Sequence, residues 1–160
     1  MKFNKTIILL ILWVFIPSCS FEIDNGREQL ILDVQERVNA WVSMWNSYDL
    51  SMVDNLFLTD ERLTYFSSEK EGLIEGFTAV REHHRGFGFI EGGKIQDNKL
   101  WVEDLHVNVY SPVAVVTGIW FFRRGPEGSK DISRGPVTFV YVREEEEYRL
   151  AHLHFSEYEQ

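Results

Sequence analysis

The apolar period of this chain changes at Gly92-Gly93, and that change limits the possible folds more than any other feature. Upstream, Leu30, Val34, Val38, Trp41 and Trp45 recur every three or four residues, with Ile31 and Val42 widening the stripe. That is the spacing of one buried helical face, and it predicts a helix over Glu28–Ser47. Asp49 or Ser51 can cap a second helix, with Met52, Val53, Leu56 and Phe57 as its buried side. Arg62–Ser67 has strand composition. Gly76 precedes a third helix over Phe77–Phe87, with Phe77, Val80 and Phe87 on its apolar side and His84 on or near it. Downstream the period is two. Leu105, Val107 and Val109 alternate with His106, Asn108 and Tyr110. Val113–Arg123, Pro136–Arg143 and Tyr148–Ser156 read as three further strands, joined by short turns. Strands so joined pair as an antiparallel meander. Three helices packed on one side of such a sheet make an α+β domain.

The first residues do not belong to that domain. Lys2 and Lys5 precede an apolar run, Ile7–Ile16, and then Ile16-Pro17-Ser18-Cys19. A spanning helix needs about 20 apolar residues, whereas a signal-peptide core needs roughly 7–15. Cys19 is the only cysteine, so it has no partner for a disulfide within the chain. An aliphatic residue three before it and a small one just before it resemble a lipobox. The expected division is a lipoprotein signal peptide over residues 1–18, a tether over 19–27 and one domain over 28–160. The alternative is an ordinary secretory signal with a coincidental cysteine. Acylation of Cys19 would anchor the chain to the bacterial cell envelope. Ser20, where no aspartate stands, resembles Gram-negative lipoproteins of the outer membrane.

Loss of Lys2 and Lys5 takes the net charge from −9 to −11. A body this acidic argues against nucleic acid and against direct contact with anionic lipid. About 140 residues are enough for one core. Without disulfides the core alone must stabilise it.

Four segments, in this order, resemble the nuclear transport factor 2-like superfamily in its SnoaL-like and ketosteroid-isomerase-like branch. They are Trp41–Phe57 (WVSMWNSYDLSMVDNLF), Ile74–His83 (IEGFTAVREH), Ala114–Trp120 (AVVTGIW) and Tyr148–Ser156 (YRLAHLHFS). The resemblance implies a strongly curved sheet wrapped around helices, a cone with a pocket at its open end. It also implies that a homodimer through the outer sheet face is to be expected. Members of the superfamily are isomerases, cyclases, dehydratases and plain binding or assembly domains, so fold does not fix function. The isomerases place a carboxylate base beside the early strand. By register that position falls near Phe66–Ser68, where this chain has Ser67 and Ser68, with Glu69 just beyond.

Histidines are the better candidates for chemistry. His152 and His154, two apart on a strand, should share a face with Tyr148, Leu150 and Ser156. In the family that face lines the interior. His84 would approach from the third helix. The three could form a proton-transfer site, with Tyr65 and Tyr141 as orienters. The simpler reading, preferred to catalysis, is that they are hydrogen-bonded wall residues of a binding pocket or dimer interface; metal ligation is the third. Zinc wants three or four ligands, and adjacent His83 and His84 cannot both face one site, so no metal and no other cofactor is expected. Trp41, Trp45, Tyr65, Trp120 and Tyr141 are the expected walls of a ligand pocket. Trp120, Phe121 and Phe122 are successive, so at least one must lie on the outer sheet face.

The expected function is an envelope lipoprotein whose cone binds a small, partly apolar molecule. A dimeric assembly module without ligand, and a small acid/base enzyme of cyclase, dehydratase or isomerase type, are the alternatives. A cavity of roughly 300 Å³ or more would separate the first from the second.

Overall fold

A computed structural model describes residues 20–159, with side chains from residue 26 onwards. Residues 1–19, and with them the signal segment and Cys19, lie outside the described residues. The elements are α1 (Ser20–Ser47), α2 (Leu50–Leu56), β1 (Thr64–Phe66), β2 (Leu73–Glu75), α3 (Phe77–Gly86), β3 (Lys99–Tyr110), β4 (Val113–Arg123), β5 (Ile132–Glu144) and β6 (Glu147–Phe155). They form an α+β domain. The six strands make one sheet in the order β2-β1-β6-β5-β4-β3.

β3 to β6 form the expected antiparallel meander. The sheet as a whole is mixed, because β1 lies parallel to β6. β2, three residues long, adds an antiparallel edge that composition did not mark. Helix α1 also differs from expectation. It begins at Ser20, so residues 20–27 of the expected tether are helical. The helix runs through Gly26, at a cost of about 1 kcal/mol relative to alanine. Among the described residues no helix is long and apolar enough to cross a membrane.

The predicted stripe of α1 is the buried one. Val34, Val38, Trp41, Met44 and Trp45 are closed from solvent. They lie across the inner sheet face, where Val116, Trp120, Phe122, Val137, Phe139, Tyr141, Leu150, Leu153 and Phe155 are buried. Trp41 meets Phe139 edge-on at 5.0 Å and stacks on Phe155 at 5.5 Å. Asp49 caps α2 as expected, accepting from Ser51 N at 2.9 Å. The same Oδ1 accepts from Gly92 N at 3.0 Å, which ties the cap to the point where the period changes. Gly93 there has φ +74°, and a Cβ on it would lie 2.7 Å from Ser47 O. Only glycine closes that junction.

Two bulges bend the sheet into a cone. In β3 the pairing with β4 slips between Glu103 and His106. In β6, Val140 pairs with His152 and Tyr141 with Leu150, so Ala151 is one residue in excess. That excess residue decides where the histidines go.

Candidate functional site

Trp45 on α1, Tyr65 on β1 and Trp120 on β4 converge at the open end of the cone, joined by Phe87, Leu100, Phe122 and Phe155. Ser67, Ser68 and Glu69, on the loop after β1, form the polar side of the rim. The hollow between them has a volume of about 30 Å³. That is room for about one water molecule, well short of the roughly 300 Å³ of an ordinary ligand pocket. The cone is therefore filled to its mouth by its own aromatic rings. Trp45 alone meets Phe89 at 5.0 Å, Phe87 at 5.5 Å and Phe122 at 6.1 Å, all near edge-on.

Of the expected pocket walls, Trp45, Tyr65 and Trp120 reach the mouth. Trp41 and Tyr141 do not. They are 0% and 1% exposed and pack in the solid core below it. Trp120 Nε1 donates to Ser156 O at 2.9 Å. Trp45 Nε1 is buried with no partner, and so is Trp41 Nε1. Burial pushes the Tyr65 hydroxyl up, and the charge of Glu69 pushes it further, so it stays protonated.

His84 lies behind this wall, 0% exposed. Rings of Trp45, Phe57, Tyr65 and Phe89 surround it at 5.2–5.7 Å. Its Nδ1 donates to Val80 O at 2.8 Å, because a carbonyl can only accept. Nε2 therefore carries a lone pair, buried and unpartnered. Burial pushes the ring's pKa down to about 4; the Val80 bond opposes this, and His83 adds to it. His84 is a neutral core residue at pH 7.

His152 and His154 are corrected outright. Strict alternation from Leu150 would turn both inward. Ala151 breaks that alternation, so Leu153 and Phe155 point in and the two histidines point out. His152 Nδ1 and Thr64 Oγ1 are hydrogen-bonded at 2.8 Å on the outer sheet face. Burial, with His154 as a second cause, holds His152 below its ordinary pKa. His154 is exposed, its Nε2 3.3 Å from Ser156 Oγ and its ring beside Phe66 at 5.2 Å. His84 is thus separated from the other two by the sheet itself, and the proton-transfer trio does not assemble. Among the described residues no three His, Cys, Asp or Glu side chains gather as a metal site.

Composition and period did not single out the ion pair at the rim, where Glu69 lines the hollow. Arg124, just after β4, donates through Nη2 to Glu69 Oε1 at 2.9 Å. Its Nη1 donates to the buried Ser133 Oγ at 2.9 Å and lies 3.5 Å from Asp131 Oδ1. The guanidinium stands 5.3 Å over the Phe122 ring. Phe122 shares the β4 parity of Trp120, a signal that alternation did contain. Phe121 points out and stacks on Trp101 at 5.0 Å.

With this geometry in hand, comparison with known proteins gives a consistent picture. A family model described as the SnoaL-like domain matches residues 34–158. A nuclear transport factor 2-like superfamily protein of Salmonella enterica superposes with a TM-score of 0.69 at 17% identity, over 84% of this chain and 94% of that one. An NTF2-like protein of unknown function from Pseudomonas putida gives 0.68 at 15%, over 81% and 87%. The CaMKII hub of S. rosetta gives 0.64 at 18%, over 80% and 96%. At such identities the likeness concerns the fold. No curated protein sequence matches this chain.

Proposed function

The chain belongs to the SnoaL-like domain family, and from that premise we propose that it binds a small, partly apolar molecule at the mouth of its cone. One observation carries this. An aromatic wall with an unpartnered indole N–H (Trp45) meets a polar rim (Ser67, Ser68, Glu69) at an opening to solvent. Apolar surface with a few convergent polar groups is the usual make-up of a ligand site. The hollow of about 30 Å³ falls short of the roughly 300 Å³ of an ordinary ligand cavity, so the closed form fits the assembly reading and this reading requires the rim to open. A ligand lies against the rings of Trp45 and Phe122 after the rim loop, residues 67–72, gives way. That loop holds few buried groups, so its displacement is inexpensive. In the same proposal, Cys19 is acylated and tethers the domain to the bacterial cell envelope, at the outer membrane.

A second reading rests on the outer sheet face. Trp101 and Phe121 stack there beside Ile119, and Val115 and Val140 are half-buried, next to a trough of about 490 Å³ over Thr117, Pro136 and Thr138. An apolar sheet face of this kind supports a homodimer, and the filled cone then needs no ligand.

Native mass spectrometry of the full chain separates the two. A bound or titratable small molecule, lost when Trp45 is replaced by Ala, supports the mouth site. Dimers that carry nothing and resist all fragment titration favour the assembly module.

A further inference from the structure

The Glu69–Arg124 pair is more than a surface bridge, because of where each partner stands. Arg124 is held from three sides. Ser133 Oγ, in a residue only 4% exposed, fixes Nη1, the Phe122 ring lies under the guanidinium, and Asp131 stands 3.5 Å away. A planar guanidinium so held presents its remaining edge in one direction, which suits a carboxylate. The guanidinium lies over Phe122, a wall of the hollow, and its Nη2 is already taken by a carboxylate of the rim, Glu69. Glu69 reaches it from the loop between β1 and β2, whose residues 68–72 are exposed. Glu69, Ser67 and Ser68 line the hollow together with Phe122. When Glu69 leaves, one movement opens the hollow and frees the arginine.

Resting on the mouth as the binding site, we infer that Arg124 is the receptor for the carboxylate of a small apolar monoacid, and that Glu69 is a tethered substitute for that carboxylate. The acid's head group takes the place of Glu69 Oε1 on Nη2. Its apolar body covers Phe122, Phe87 and Trp45. Glu69 has only a short methylene stem to offer those rings, so a ligand with a ring or branched chain gains contacts that the substitute lacks. A second negative charge on the ligand would meet Asp131, which restricts the class to monoanions. The exchange is of one ion pair for another and transfers no proton or bond.

The test uses the full chain and two probes of equal shape, benzoate and its neutral counterpart benzamide, in calorimetric titrations. Glu69→Gln removes the competing charge and keeps the side-chain length. The wild type should bind benzoate more tightly than benzamide. Glu69→Gln should tighten benzoate about two- to five-fold, the weight of a half-exposed ion pair, and benzamide by less, since both gain from easier opening and only benzoate gains from removal of the competing charge. Arg124→Gln should abolish the preference. If Arg124→Gln fails to fold, because Ser133 loses its partner, the Glu69→Gln result decides alone. Equal binding of the two probes to the wild type, or a gain in Glu69→Gln no larger for benzoate than for benzamide, overturns the inference and leaves the mouth site standing. No binding of either probe to either protein overturns both.

Discussion

Acidification should destabilise this domain through one buried ring. His84 is neutral in the folded protein, with its pKa pushed to about 4 by burial. In the unfolded chain it returns to about 6.5. As pH falls through 6.5 the unfolded chain takes up a proton that the folded chain refuses. Stability is then lost between about pH 6.5 and 4, and the loss levels off below that. The gap of about 2.5 units corresponds to about 3 kcal/mol at the plateau, a large share of the roughly 5–15 kcal/mol of an ordinary domain. Carboxylates also titrate in this range, and burial holds His83 and His152 below their ordinary values as well. A difference measurement removes them. Urea unfolding, followed by tryptophan fluorescence from pH 7.5 to 4, should be run on the wild type and on His84→Phe. Phenylalanine fits a cage of aromatic rings and cannot titrate. The variant's own cost sets an offset. Relative to that offset, the wild type should lose about 3 kcal/mol across the range. Two parallel curves would refute the reasoning and mean that His84 finds a partner for its charge.

Gly135→Ala should cost about 1–3 kcal/mol, as overpacking does, because the new Cβ would lie 1.9 Å from Ser156 O. The same shift should break the Trp120 Nε1 bond to Ser156 O, so the urea midpoint and the Trp120 emission should move together. Replacing both His152 and His154 by Gln should change stability by less than about 1 kcal/mol and leave probe binding at the mouth as it was in calorimetry. Cys19→Ser should abolish fatty-acid labelling and free the chain from detergent; unchanged labelling would remove the lipid anchor.

What could be read in advance was what repeats. The α1 stripe, the Asp49 cap and the alternation of β4 each place several residues by one rule, and the core follows from them. Ala151 obeys no rule of this kind. An alanine is an unremarkable strand residue, and nothing beside it marks a bulge, yet it inverts every side chain after it. That one residue accounts for the histidines placed inside on paper and found outside. The parallel pairing of β1 with β6 joins residues 88 positions apart, and local pattern carries no record of it. Arg124, and with it the pairing to Glu69, was hidden for a related reason: charges on two loops show no period. Trp45, Tyr65 and Trp120 were found because large rings rarely stay in water, but the same argument could not say whether they enclose a space or fill it.

Helix α1 starts at Ser20 and delivers Trp45 to the rim in a single unbroken run. At about 1.5 Å per residue, those two ends stand nearly 40 Å apart. From Val34 onward that rod is embedded in the core, so under the proposed acylation of Cys19 the aperture would be carried to the end remote from the anchored surface, and a molecule would reach it from the surrounding water.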